Sequence, residues 1–331
     1  MVKREDSYES ALKIAQMYYH HQMNTDEIAK TLGFSRAKVS RLLNHARKIG
    51  IVEVRIIDHR HDNDPLSMQL KRRYRGLHEI TIVPVEPDSS TPEQLTRVAQ
   101  TAAVHLSNDI ICDNHIVAVS AGEILSLVAR NLPKRPMKGV QIVQLQGNTA
   151  GGSCGIGYIG GILQKFASAF EGELVLYPVP MMFATEEARK LMWNEPSIRI
   201  AREYQQRADT IIFTVGVAHL TWERMLLSAR LNENREHRVL LDRDVVGDLA
   251  TVFYRIDGTF KDLAINQQSS GPALETYRQV GRSVCIVAGQ EKILAVHAAL
   301  NAGYISDLII DSATALALRE MDFSKYKLTS K

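Results

Sequence analysis

The sequence predicts a two-domain chain: an N-terminal helix-turn-helix of the winged-helix kind, then a larger α/β domain with a mainly parallel sheet. Three observations lead there. With 331 residues the chain is longer than one ordinary core organises. Its first sixty residues hold two short, capped helical patterns around a glycine. Beyond them, apolar strand-like runs alternate with amphipathic helical ones. The predicted boundaries are 1–60 for the first domain, 61–76 for a linker helix and 77–331 for the α/β domain.

Composition is that of a soluble globular protein, with 45% hydrophobic and 23% charged residues. No apolar run approaches the roughly 18 residues of a membrane span, so no membrane partner is expected. The opening MVKREDSYES has no apolar core region, which argues against a secretory signal and for the cytoplasm. Cys112, Cys154 and Cys285 make no metal-ligand spacing, and neither a disulfide framework, a zinc site nor any other cofactor is expected. The net charge of +3 is unevenly spread: residues 1–60 carry 11 Lys/Arg against 7 Asp/Glu, and the remainder 29 against 30. That excess points to a polyanion partner for this end alone.

The most specific motif is TDEIAKTLGFSRAKVSRLL at 25–43. Asn24 or Thr25 can cap a short helix, with Glu27 reaching back in a capping box. Ile28, Ala29 and Leu32 supply its inner face. Gly33 serves a turn that needs positive φ. Ser35 caps a second helix whose inner positions are Val39, Leu42, Leu43 and Ala46. Outward residues Ser35, Arg36, Ala37, Lys38, Ser40 and Arg41, with Thr25, are the candidate DNA contacts, because Lys, Arg and Ser on one helical face suit phosphates and guanine edges in a major groove. A solvated basic face on a small bundle would explain the charges but not the capped turn. Leu12, Ile14, Ala15, Met17 and Tyr18 mark a preceding helix. Residues 51–56 alternate as a strand and read as a wing. The polar DHRHDNDP at 58–65 reads as a linker, followed by an amphipathic helix from Leu66 to Tyr74.

From His78 the strand-like runs are 80–85, 116–119, 140–145, 174–177, 210–215, 283–287 and 307–310, with helical patterns at 93–106, 123–131, 160–170, 184–192, 197–207 and 290–301. Such alternation implies a parallel sheet covered on both faces, with ligands at the carboxyl ends of the strands. The stretch IVAVSAGEILSL at 116–127 reads as strand, small-residue turn and helix, normally an anion cradle, yet its first helical side chain is the acidic Glu123.

IAKTLGFSRAKVSRLLNHARKIGIV resembles the start of the SorC-family sugar-responsive transcriptional regulators, the group that includes the deoxyribonucleoside regulators of Gram-positive bacteria. GVQIVQLQG, FTVGV, VVGDLATVFYRIDG, IVAGQEKILAVHAAL and LIIDSATALAL are similar to that family's effector domain, in the same order over nearly the whole chain. The resemblance implies an effector domain like sugar-phosphate isomerases and deaminases, binding of a sugar that alters the grip on operator DNA, and a homo-tetramer or dimer. It further implies a phosphate-binding turn reading Gly-Thr-Thr after the second strand. Here that turn keeps Ser120 and Gly122 but continues Glu123-Ile124. Positions that often carry arginine read Val252 and Gln268. The family's Leu-x-Gly-Gly loop reads here with Gly147 followed by Asn148, and the position that carries an imine-forming lysine in some members is Gln146. Asp248 sits where the family keeps an aspartate near the ligand, and of the cationic set Lys292 remains.

The effector residues expected are therefore Ser120, Gly122, Glu123, Gln146, Gly147, Asn148, Asp248, Gln268 and Lys292, around an uncharged polyol or sugar rather than a phosphosugar. A carboxylate about 4 Å from a phosphate costs several kcal/mol even at an effective dielectric near 20, whereas carboxylate and amide groups suit vicinal hydroxyls. Glu123 alone also has a plain explanation, since acidic residues in a first helical turn complement the macrodipole. The glycine-rich GGSCGIGYIGG at 151–161 lacks a P-loop ending and reads as a loop entering a closely packed helix. His219 and Trp222 are read as a cover for the pocket or a surface loop, and Tyr158 and Trp193 as packing residues. The leading function class is a non-enzymatic regulator, and the resemblance implies a repressor, the family's common mode. The competing class, an isomerase or deaminase carrying a DNA-binding head, needs a placed acid/base pair that no strand end supplies.

Overall fold

In the N-terminal unit, Met1–His59, three helices close on a small core. The computed structural model describes residues 2–19, 21, 23–52, 64–86, 88–149, 155–229 and 244–326. Here α1 (Val2–Tyr19), α2 (Thr25–Leu32) and α3 (Arg36–Lys48) pack through Ile14, Met17, Ile28, Val39 and Leu43. In a second cluster the buried residues are all alanines, Ala11, Ala15 and Ala46, which let α1 and α3 approach closely. Leu12, expected inside, instead faces outward at 36% exposure, and Ala11 takes the inner position. Ile51 and Val52 pack against the alanines. The rest of the expected wing, 53–56, and the linker up to residue 63 lie outside the described residues.

The second unit, Arg60–Lys331, opens with α4 (Pro65–Arg73), capped by Asp64, whose carboxylate accepts from Ser67 N at 3.1 Å. Among the described residues ten strands follow: β1 (Glu79–Val83), β2 (Ile116–Val119), β3 (Gln141–Gln144), β4 (Glu173–Val175), β5 (Thr210–Phe213), β6 (Val215–Val217), β7 (Val245–Leu249), β8 (Val252–Arg255), β9 (Arg282–Val287) and β10 (Asp307–Asp311). The helices between and after them are α5 (Thr91–His105), α6 (Glu123–Asn131), α7 (Ile156–Phe170), α8 (Glu186–Trp193), α9 (Pro196–Gln206), α10 (Ala218–Ala229), α11 (Glu275–Gln279), α12 (Ile293–Asn301) and α13 (Ser312–Glu320).

Seven strands form one sheet in the order β1-β10-β9-β5-β2-β3-β4, every neighbouring pair parallel. The apolar character of its strands follows from burial on both faces. In β2, Val117 and Val119 join one core while Ala118 between them joins the other. From β2 the chain moves outward to β3 and β4, then returns to place β5 on the other side of β2. The β2–β5 boundary is thus a topological switch point, where the loops leaving the two strands diverge and leave a crevice.

The alternating pattern did not reveal the second sheet, the antiparallel β6-β7-β8. Thr214 ends β5, and the run predicted as one strand over 210–215 divides there into β5 and β6. The β7–β8 hairpin turns at Ala250 and Thr251, with φ of 45° and 75°. Hairpin turns with positive φ usually announce themselves with Asn or Gly, and this one does not.

The helix expected as a linker packs within this unit. Leu70 and Tyr74 are buried, and Arg73 Nη1 donates to Leu318 O at 3.3 Å and Arg319 O at 2.8 Å, with Nη2 donating to Met321 O at 3.4 Å. These carbonyls end α13, so Arg73 supplies the donors that a helix C-terminus lacks.

Candidate functional site

Two regions concentrate the predicted residues, one in each unit. In the first, Asn24 caps α2: its Oδ1 accepts from Asp26 N at 3.0 Å and Glu27 N at 2.9 Å, and Glu27 Oε2 accepts from Asn24 N at 2.8 Å. Of the two candidate caps, therefore, Asn24 takes the role and Thr25 is the first helical residue. Gly33 adopts φ 64°, and Ser35 Oγ accepts from Lys38 N at 3.2 Å to start α3. Val39, Leu43 and Ala46 are buried, while Ser35, Arg36, Ala37, Lys38, Ser40 and Arg41 are all exposed. Thr25 is half-buried. The cations are loosely held: Arg36 lies 3.5 Å from Asp26 with both side chains exposed, Lys38 Nζ sits 3.5 Å from the Phe34 ring, and Arg41 Nε donates to Ala37 O at 3.4 Å. Contacts this exposed are exchanged at little cost.

In the second unit the loops after β9, β5, β2 and β3 stand side by side, because those strands are consecutive in the sheet. Gly122 at the start of α6 lies so close to Thr214 that a Cβ would be 2.7 Å from Thr214 Cγ2. Lys292 Nζ donates to Thr214 Oγ1 at 3.4 Å. Ser120 is buried at the end of β2, its N–H donating to Ile212 O at 2.9 Å. Glu123 is exposed in the first turn of α6. The turn after β2, Thr214 and Lys292 thus meet at the switch point.

The loop after β3 is reached by a hydrogen-bonded thread. Gly147 N donates to Ser270 Oγ at 2.9 Å. Next to it, Ser269 Oγ pairs with Thr251 Oγ1 at 2.7 Å, and Thr251 N donates to Asp248 Oδ2 at 3.1 Å. The Asp248 carboxylate then lies against Gly216, where a Cβ would fall 1.9 Å from Oδ1. Both Gly147 and Gly216 are glycine because of close approach: a Cβ at Gly147 would be 2.4 Å from the Val179 and Pro180 carbonyl oxygens. Positive φ at two non-glycine residues, Ala250 and Thr251, is backbone strain stored beside this thread.

Gln146 is buried, and its Oε1 has no hydrogen-bond partner among the described residues. Asn148 is committed: its Oδ1 accepts from Gln144 Nε2 at 3.1 Å, and its N–H donates to Val179 O at 2.9 Å. A cavity of about 330 Å³ opens beside it, lined by Gln144, Asn148, Thr149, Ile156, Leu176 and Pro178 among others. Gln268 is half-buried, its carbonyl accepting from Phe183 N at 2.8 Å. Val252 is packed in the core at 4% exposure.

Comparison with known proteins decides the family. Residues 58–319 match the sugar-binding domain family, Sugar-bind. The chain belongs to the SorC family of sugar-binding regulators. It is 31% identical over 310 residues to the deoxyribonucleoside regulator of Bacillus subtilis, covering 93% of this chain and 96% of that protein. To the transcriptional regulator LsrR of Klebsiella pneumoniae it is 27% identical over 313 residues, 94% of this chain and 92% of that one. The crystal structure of the full-length sorbitol operon regulator SorC of Klebsiella pneumoniae superposes with a TM-score of 0.78 at 26% identity, covering 95% of this chain and 99% of that chain. These relatives are named as regulators and none as an enzyme.

For this SorC-family chain, sequence reasoning missed Thr214, Thr251, Ser269 and Ser270. The serines stand in NQQSSGP (266–272), one and two positions past Gln268, and a pair of small hydroxyls after an amide run was the available signal. His219 is exposed on α10 rather than in a loop, and Trp222 is buried in the core. Residues 151–154 of the glycine-rich stretch lie outside the described residues, and α7 begins at Ile156. No described helix is long and apolar enough to cross a membrane, and no described group of His, Cys, Asp or Glu could hold a metal ion.

Proposed function

We propose that the chain is an operator-binding repressor of a carbohydrate or polyol catabolic operon, whose hold on DNA is set by a small effector at the β2–β5 switch point. The observation that carries the DNA half is the exposed face of α3. Six consecutive or near-consecutive residues, from Ser35 to Arg41, face solvent around the buried Val39, behind a turn fixed by Gly33. In this reading α3 enters the major groove as the second helix of a helix-turn-helix, and a dimeric pair addresses half-sites about one DNA turn apart or multiples of it. A homo-tetramer or dimer supplies that pair.

The effector is read as an uncharged polyol or sugar. In this reading its partners are the Lys292 ammonium and the Thr214 hydroxyl, which meet at the switch point, with the Gln146 amide and the Asp248 carboxylate from neighbouring loops, all groups suited to vicinal hydroxyls. Exposure of Glu123 weakens its repulsion of an anion, so this reading rests more on Val252, a packed apolar residue at an arginine position of the family, than on Glu123. Binding acts on DNA only through different affinities for the DNA-competent and DNA-incompetent states. The experiment is fluorescence anisotropy on the DNA beside the protein's own gene, with pentitols, hexitols, free sugars and phosphosugars added in turn. Sequence-preferring binding released by an uncharged polyol is the expected result. A phosphosugar acting at lower concentration than every uncharged candidate overturns the effector assignment, and absence of sequence preference overturns the operator.

A further inference from the structure

The corner between α8 and α9 gathers two arginines on one tryptophan. Trp193 ends α8, Arg189 lies one turn before it, and Arg202 projects from α9. Their guanidinium carbons are 4.5 Å and 3.7 Å from the Trp193 ring centroid. The ring itself is held, since its Nε1–H donates to the hydroxyl of the buried Tyr177 at 2.7 Å.

An aromatic face attracts cations without neutralising them, and negative charge is short at this corner. Glu186 is 3.7 Å from Arg189 but 2.9 Å from Lys190, which takes the closer contact. Among the described residues Arg202 makes no ion pair and no hydrogen bond; its partner is the Trp193 ring. Arg189 Nη1 donates to Asn266 O at 3.1 Å, yet its Nε is buried without an acceptor. Burial lowers the pKa of both guanidinium groups; for Arg189 the Glu186 carboxylate opposes the lowering and the nearby Arg202 charge adds to it. Two like charges held together with idle N–H donors are stabilised by an anion.

We propose that this corner binds an oxyanion, the phosphate or carboxylate group of a small metabolite, through the guanidinium N–H groups of Arg189 and Arg202. The planar fork of arginine matches either group bidentately, which an ammonium does not. The site is distinct from the turn after β2, and it stands whether or not the switch-point effector is uncharged. A bracing role is served by the ring stacking and the Arg189–Asn266 bond without any anion, so the test must read anion binding.

Thermal unfolding of the full chain in phosphate, sulfate or acetate, each against potassium chloride at matched ionic strength, provides it. The expected result is a saturable rise in melting temperature, with the apparent dissociation constant weakened about tenfold or more in Arg202→Gln and partly restored in Arg202→Lys. Phosphate or sulfate ahead of acetate assigns a phosphate group; the reverse assigns a carboxylate. No rise beyond the chloride control, or an equal rise in Arg202→Gln, overturns the proposal. So does a change of oligomeric state in Arg202→Gln with anion affinity unchanged, which would make the corner a subunit contact. Should Arg202→Gln fail to fold, Trp193 fluorescence in a Trp222→Phe chain decides: a saturable anion-dependent change supports the site, and none refutes it.

Discussion

Thr214 leaves no room for a side chain at Gly122: a Cβ there would stand 2.7 Å from Thr214 Cγ2. The two residues belong to loops leaving different strands, so their contact sets the width of the cleft between β2 and β5. Gly122 adopts an extended φ of 162°, which any residue tolerates, so the obstacle to a larger residue is steric. Gly122→Ala should destabilise the protein by about 1–3 kcal/mol through overpacking. Removing the methyl group in Gly122→Ala/Thr214→Ser should recover most of the loss, because the serine hydroxyl still serves Lys292. Urea unfolding of the two single variants and the pair checks this; strict additivity would disprove the contact.

Arg41 is exposed and, among the described residues, bonds only its own helix, through Ala37 O at 3.4 Å. Arg41→Ala should therefore leave stability nearly unchanged while weakening operator binding by about 1–3 kcal/mol if it reads a base. Anisotropy titrations on specific and scrambled DNA separate the roles. A loss confined to the specific site assigns a base contact, and an equal loss on both assigns a phosphate.

Asn24 holds two N–H groups at the start of α2 and closes a capping box with Glu27. Asn24→Ala should cost about 1 kcal/mol. The expected readout is faster amide hydrogen exchange in α2 and α3, with the α/β unit unaffected. Unchanged exchange in α2 would show that the cap contributes nothing.

Burial holds the His297 imidazole from 6.5 down to about 4, with the Arg73 charge adding to the effect. Its Nδ1 pairs with the Tyr74 hydroxyl at 2.8 Å and its ring stacks on Phe323 at 3.6 Å. The folded chain thus resists a proton that the unfolded chain takes up below about pH 6.5. More protons on the unfolded state means that stability falls as pH falls. Its contribution is complete above pH 6.5 and is lost on the way to about 4. With the discount for partial exposure, about 1–2 kcal/mol is lost by pH 5. Urea midpoints at pH 7.5 and 5.0 should differ more for the wild type than for His297→Gln; equal differences would remove His297 from the account.

The main sheet was legible because its strands carry a simple signal. A run buried on both faces, such as Ile116–Val119, stays apolar throughout and stops at a small-residue turn, here Ser120-Ala121-Gly122. The second sheet was hidden for a local reason. Thr214 interrupts an otherwise continuous run, and Ala250-Thr251 makes a positive-φ turn without the residues that advertise one. At the site, single residues in strand-end loops could be named, but the thread through Ser270, Ser269 and Thr251 could not. Its members come from segments far apart in sequence, and small hydroxyls look alike on paper wherever they stand. The Arg189–Trp193–Arg202 stack was missed likewise, since two helices must meet before the ring has cations to hold.

Arg73 fastens α4 to the last carbonyls of α13, and the other end of that helix is fastened too. Gly289 N donates to Asp311 Oδ2 at 3.2 Å and to Thr314 Oγ1 at 3.1 Å. Gly289 opens the turn that carries Lys292. The nine residues of α13, a strut about 13 Å long, therefore span from the cation of the cleft to the first helix of the α/β unit. A tilt of the Lys292 turn would have a stiff lever to pull on, one that reaches α4, the helix next in sequence to the N-terminal unit.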